Sequence, residues 1–408
     1  MKLKPIYTLL LALYILMSLL IPLASYNKLL FAALVAIYGV YILFSKKEKK
    51  FECLKFTIAP IVIIGIFVYG YVKGMFGGAD MALARQFLLG TSMFALIYPI
   101  DEFEIDMNTL LKIVAKIYIF AFFIYAVYAI NIKEYDLPAV INQAAHLLDN
   151  GVTRAIGKTL QDRGSGLSKY RNFFGGRGMQ IYLGSTPFLL VLTDILFVDF
   201  LKNKKWSNLI WVGLVVALTF TTGSRTLILL IPASLCLLIW LNLDRKKQIF
   251  AAVIIGILGV AAFVFLLNHS TFFSMSERSN AVKAGHILSY FEQLNLKQAL
   301  IGDGLASFYY SSGTKYELAH TEITFMDHCR WFGIPFAILV WGSLVVPKIR
   351  NNWKDWKNWK VWELKEELVI LLLYMVFAQT NPVLFNSFGL TVVLWYWNCL
   401  FMKSKKEE

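Results

Sequence analysis

Charged residues are scarce in this chain. Asp, Glu, Lys and Arg make up 16% of its 408 residues, against about 25% in an ordinary soluble domain, and that shortage argues against a soluble enzyme. Cysteine is sparse as well. Cys53, Cys236, Cys329 and Cys399 are scattered, form no CxxC pair and have no histidine at zinc-ligand spacing, so neither a disulfide framework nor a structural metal is indicated.

Apolar residues fill the room that charge leaves. Ala, Val, Ile, Leu, Met, Phe, Trp, Tyr and Cys account for 58% of the chain, and its 11 Trp, 20 Tyr and 32 Phe suit the headgroup-level belts that amphipathic rings form around membrane spans. Apolar runs of roughly 16–25 residues, long enough to cross about 30 Å of hydrocarbon, recur near 6–24, 29–44, 56–72, 82–100, 110–130, 179–198, 207–221, 226–241, 249–267, 322–346, 367–384 and 387–401. The expected fold is an all-α polytopic integral membrane protein with about 12 transmembrane helices and two long, partly helical outer loops. Its divisions are helices one to five in 1–130, a first outer loop in 131–178, helices six to nine in 179–267, a larger outer loop in 268–321 and the last three helices in 322–408. The first run lacks a following small-residue cleavage site, so it is read as a retained helix and not a signal peptide.

Forty basic residues against 26 acidic ones leave a net charge of +14, and their distribution reads as topology. Lys46, Lys47, Lys49 and Lys50, Lys202, Lys204 and Lys205, and Arg245, Lys246 and Lys247 fall in alternate turns, which the positive-inside rule places in the cytoplasm. Both termini are then expected in the cytoplasm and both long loops outside, and nucleic acid is not an expected partner. The tract 348–366 carries Trp353, Trp356, Trp359 and Trp362 at three-residue spacing and reads as an interfacial anchor on the inner surface.

Chemistry is expected on the outer face. His146, His269, His286 and His320 lie in the two long loops, and His328 lies just inside the tenth apolar run. The first loop ends in Arg163–Gly178, where Arg171 and Arg177 alternate with glycines and aromatics, a pattern equally suited to a solvated hinge or a phosphate nest. Arg225 stands between two apolar runs beside Thr222, Gly223, Ser224 and Thr226, where an ionisable group either snorkels or has a function. The second loop opens near Arg278, continues through Gly302-Asp303-Gly304 and closes on His320, Glu322, Asp327, His328 and Arg330. For His320 the plain alternative is a satisfied loop histidine, and for His328 a hydrogen bond to a neighbouring helix.

Taken in order, Thr222–Thr226, Arg278, Leu300–Phe308, Ala319–Ile334 and Asn381-Pro382 resemble the superfamily of O-antigen polymerases and O-antigen ligases, membrane glycosyltransferases of bacterial surface polysaccharide assembly. The resemblance implies a metal-independent inverting transfer, without a cofactor, of a glycan from undecaprenyl pyrophosphate to a sugar hydroxyl on the periplasmic side of the inner membrane. It implies that Arg225 and Arg278, with Arg171 or Arg177 as a further cation, bind the pyrophosphate. His320 is implied as general base, with Glu322 able to share that role, and Ser224, His328 and Arg330 remain further candidates. The His320-Thr321-Glu322 junction looks more like the polymerases, whose acceptor is another lipid-linked glycan, than the ligases, whose acceptor is lipid A-core. Partners in polysaccharide export or chain-length control follow from the same likeness. A lipid-linked glycan flippase or other transporter is the alternative of a different class.

Overall fold

The computed structural model describes residues 3–405 apart from 25, 45–57, 133–150, 174–175, 270–273, 276 and 348–364. The expected Trp-rich anchor and His146 lie outside the described residues. In chain order the elements are α1 Leu3–Leu20, α2 Tyr26–Phe44, α3 Ala59–Gly77, α4 Met81–Ser92, a 3-10 turn Met93–Leu96, α5 Ile97–Glu102, α6 Met107–Ile132 and α7 Gly151–Arg163. An antiparallel hairpin, β1 Leu167–Phe173 and β2 Gly176–Tyr182, leads through the turn Thr186–Phe188 to α8 Leu189–Asn203, α9 Trp206–Thr222, α10 Arg225–Leu241 and α11 Arg245–His269. Then come α12 Arg278–Gln293, α13 Leu296–Ile301, the hairpin β3 Tyr309–Ser311 and β4 Tyr316–Leu318, α14 Thr324–Phe332, α15 Ile334–Val345, α16 Lys365–Phe377 and α17 Gly389–Lys405.

The expectation of an all-α protein with about twelve spans is corrected. Among the described residues, five helical segments combine the length and apolar composition needed to cross a membrane: Leu3–Leu20, Tyr26–Phe44, Ala59–Gly77, Met81–Glu102 and Met107–Ile130. The later runs fail for local reasons. Residues near 179–182 are spent on strand β2, which leaves α8 with 15 residues. The tenth run breaks at Gly333, whose φ of +91° separates α14, nine residues long, from α15, with 12. At 1.5 Å per residue, α15 covers only about 18 Å of a 30 Å hydrocarbon layer. α9 and α10 are apolar but reach 17 residues each, while the side chains of α11 are described only in part and it stands outside that count. Two hairpins also replace part of what was expected to be helix and loop.

The topology falls with the span count. The five qualifying segments among the described residues do not support a twelve-span inner-membrane protein with both termini cytoplasmic and a periplasmic active site. The qualifying helices end at Ile130, and among the described residues beyond it none meets the same criterion.

The chain forms two compact units, Met1–Phe44 with Asp106–Phe263, and Ser45–Ile105 with Val264–Glu408. In the first, Tyr118, Phe122 and Tyr125 of α6 and Leu189–Leu192 of α8 are buried. Asp199 near the end of α8 gathers Lys112 Nζ (2.5 Å), Asn203 Nδ2 (2.7 Å) and Asn208 Nδ2 (2.7 Å). In the second, Asp80 caps α4 by accepting from the N–H groups of Ala82 and Leu83, as short acceptor side chains do at helix starts. Phe94 stacks on Trp397 at 5.1 Å, and Trp397 Nε1 donates to the Leu344 carbonyl at 2.9 Å.

The segment Gly302-Asp303-Gly304 locks backbone to backbone. Asp303 N donates to Arg330 O (2.8 Å), Gly304 N to Trp331 O (2.9 Å) and Leu305 N to Gly70 O (2.7 Å). A Cβ on Gly302, where φ is +67°, would stand 2.3 Å from Trp331 O, and one on Gly304, φ +106°, 2.5 Å from Gly74 N. Only glycine fits such an approach without strain. This turn fixes the end of α14 against α3 and thereby positions the polar cluster that α14 carries.

Candidate functional site

The cluster around His320 is built on α14. Asp327 and Arg330 lie one helical turn apart with their side chains 1% exposed and form an ion pair at 3.3 Å. Asp327 Oδ2 accepts from Thr321 N (2.6 Å) and Thr321 Oγ1 (3.1 Å). Arg330 Nη2 donates to Ala319 O (2.7 Å), a carbonyl that also receives Trp331 Nε1 (3.2 Å). Arg330 Nη1 donates to the carbonyl and, at 3.1 Å, the hydroxyl of Ser307. The guanidinium lies 4.4 Å from the Tyr309 ring centroid, where the ring's negative face favours it.

Ala319 and Thr321 are the two neighbours of His320 in the chain, so the buried pair grips its backbone on both sides. The imidazole itself is half-buried, sits 6.1 Å from the Phe87 ring, and has no hydrogen-bond partner among the described residues. Phe87 is held in turn by Trp331 at 5.0 Å. The arrangement is a fixed imidazole backed by an aromatic wall.

Glu322 is exposed and pairs with Lys283 of α12 at 3.1 Å. One turn along α12, His286 is buried, its Nδ1 2.6 Å from Ser311 Oγ. Burial lowers the His286 pKa from its ordinary 6.5, while the nearby carboxylates of Asp327 and Glu322 oppose that shift and His320 and Lys283 add to it.

His328 takes a different role. Its ring is enclosed by Phe385 (4.5 Å), Phe332 (5.4 Å), Phe67 (5.6 Å) and Trp331 (5.6 Å). Trp341 Nε1 donates to Nδ1 at 3.1 Å, which assigns the ring proton to Nε2. Desolvation drives its pKa down to about 3. It is a neutral core side chain.

Arg278 is exposed at the first position of α12. The second unit therefore holds Arg278, His320, Glu322, His328 and Arg330, whereas Arg171, Arg177, Ser224 and Arg225 belong to the first. There the TGSRT turn is a helix stop and start. Gly223 ends α9 at φ +58°, and Ser224 caps α10 by accepting from Leu227 N at 3.4 Å. Arg225, half-buried, opens α10. In the hairpin, Arg171 is opposite Gly178 and Arg177 opposite Asn172. Among the described residues no three His, Cys, Asp or Glu side chains converge as a metal site would require.

Lys283 did not stand out in the sequence, because its ion pair with Glu322 is made through the fold and leaves no local spacing to read. The positioning role of Asp327 and Arg330 was equally invisible, although their i, i+3 spacing was there to mark a helical pair.

No family model, curated protein or solved structure matches this chain. The resemblance to O-antigen polymerases and ligases is overturned by that result together with the five-span count. The assignments to lipopolysaccharide biosynthesis, and to that family's place in the inner membrane, go with it.

Proposed function

We propose that the second unit carries an acid–base centre at His320 that activates an acceptor hydroxyl for transfer from an anionic, lipid-borne donor. In this reading the acceptor is a sugar hydroxyl and the donor a glycan on a polyprenyl pyrophosphate. The observation that carries it is the clamp: Arg330 and Asp327 hold Ala319 O and Thr321 N, which fixes the backbone of His320 while its imidazole stays half-exposed and unengaged among the described residues. A general base works best when its geometry is preset and its ring is free to take a proton.

The step balances simply. The acceptor oxygen attacks the anomeric carbon, its proton passes to the imidazole, the carbon–oxygen bond to the pyrophosphate breaks and the diphosphate leaves with the electron pair. Displacement from the opposite face inverts the anomeric centre. Charge-assisted donors stabilise such a leaving group, and within this unit Arg278 and Lys283 of α12 are the candidate cations. Glu322 is a poorer base, because taking a proton would cost it the ion pair with Lys283.

The test is reconstitution of the full chain in proteoliposomes with a polyprenyl-pyrophosphate-linked oligosaccharide and a sugar acceptor. New glycosidic bonds with release of the lipid diphosphate are expected, and His320→Ala should lower the rate by about 10²–10⁴, the usual contribution of a general base. Movement of intact donor across the bilayer without bond formation, or a His320→Ala rate equal to that of the parent, would overturn the reading.

A further inference from the structure

Helix α12 is amphipathic in the wrong sense for a helix whose outer face meets water. Its buried face carries Gly285, His286, Ser289 and Tyr290, whereas Ala281, Ile287, Leu288 and Phe291 are exposed. Phe291 is 65% exposed, and the apolar surface continues across the Leu294-Asn295 junction onto α13, where Leu296 is 77% exposed and Leu300 and Ile301 are also open. Clustered apolar side chains of this size are not left to water without a function.

What covers them is indicated by where α13 is attached. The Ile301 carbonyl accepts from Tyr69 Oη and Lys73 Nζ, both at 2.9 Å. Tyr69 and Lys73 belong to α3, one of the five segments able to cross a membrane. Tyr69, Val72, Lys73 and Phe76 follow an i, i+3, i+4, i+7 row, so they share one face, and on it Val72 and Phe76 are exposed, Phe76 by 87%. A tyrosine and a lysine beside exposed apolar residues near the end of a span are the groups that sit at headgroup level. Ile301 is thus joined to the row of α3 on which Val72 and Phe76 are exposed.

We infer that α12 and α13 form a membrane-docking element, lying along the bilayer surface with Ile287, Leu288, Phe291, Leu296 and Leu300 in the headgroup–acyl boundary. The occupant of the apolar face is lipid. Neither helix spans; each lies flat, as interfacial helices do. The inference does not depend on the chemistry proposed for His320. It does imply that the inner face of α12, with Lys283 and His286, works close to the lipid surface.

Nitroxide labels at Leu288→Cys, Phe291→Cys and Leu296→Cys, placed singly in full chains lacking the four native cysteines and held in lipid nanodiscs, test this directly. All three positions should be more accessible to oxygen than to a water-soluble nickel chelate, and a label at Lys315→Cys in the β3–β4 turn should show the reverse. Labels at the three positions that behave like the one at 315, or that are screened from both reagents as under a second protein copy, would overturn the inference. Hydroxyl-radical footprinting of the unsubstituted chain in the same nanodiscs gives a second reading if the variants do not fold. Phe291 and Tyr316 are similarly exposed on the isolated chain, 65% and 58%, so protection of Phe291 alone supports lipid cover and equal oxidation refutes it.

Discussion

Asp327 and Arg330 neutralise each other at 3.3 Å inside α14 and, from there, hold the residues on either side of His320. Removing one member of a buried pair leaves the other charge without compensation, at a cost of about 3–5 kcal/mol. Asp327→Ala is therefore expected to destabilise the second unit by that amount, measured by denaturant unfolding in detergent. Arg330→Lys should also be damaging, because an ammonium cannot reach Ser307, Ala319 and Asp327 in the directions a guanidinium does.

Two glycines separate backbone constraint from simple smallness. Gly302→Ala places a Cβ 2.3 Å from Trp331 O at a φ of +67°, so it is expected to destabilise by about 2 kcal/mol or more. Gly213, inside α9, has nothing within 4 Å of a built Cβ, and Gly213→Ala should stabilise by about 0.4–1 kcal/mol. Unfolding midpoints shifted in the same direction for both would refute the distinction.

The first five apolar runs were legible because each is long and bounded by turn or charge signals, as at Asp80, which caps α4. Gly333 defeated the tenth, since its φ of +91° ends α14 and restarts the chain as α15 within one continuous apolar pattern. The strand at 176–182 was hidden for a related reason. Met179, Ile181 and Tyr182 fit a buried helix or a strand equally well by periodicity, and only pairing with Leu167–Phe173 decides between them. At the site, density of polar residues pointed to His320, Glu322, Asp327, His328 and Arg330 together. Burial then sorted them, enclosing His328 in rings and leaving His320 half-open, and a linear sequence carries no direct record of that difference.

Stability of the second unit should fall on acidification. Burial depresses the His286 pKa below 6.5 and takes His328 to about 3, so below about 6.5 the unfolded chain binds protons that the folded one does not, and unfolding is favoured. The contribution is complete above the unfolded value and is lost progressively as pH falls, for His328 through the whole interval from 6.5 to about 3. Melting temperatures measured between pH 7.5 and 5 should decline, and His328→Phe, which cannot take the proton, should flatten the decline. An unchanged slope in that variant would refute the assignment.

In the first unit, Asp199 is the acceptor on which Lys112, Asn203 and Asn208 converge, with Lys205 Nζ at 3.7 Å. Asp199→Ala strands several donors at once and is expected to cost about 3–5 kcal/mol. Asp199→Asn keeps an acceptor and should cost about 1–3 kcal/mol. Equal losses for the two variants would show that volume and not hydrogen bonding is what matters there.

Glu322 and His320 can be told apart by what each would lose. The Glu322–Lys283 pair is more than half exposed on the carboxylate side, so Glu322→Gln should change stability by less than about 1 kcal/mol. If His320 is the base, Glu322→Gln retains transfer within about tenfold, since it leaves the imidazole and the backbone clamp intact, whereas loss of the base itself removes about 10²–10⁴ in rate. A Glu322→Gln chain as slow in transfer as His320→Ala would pass the base assignment to the carboxylate and leave His320 as part of the wall.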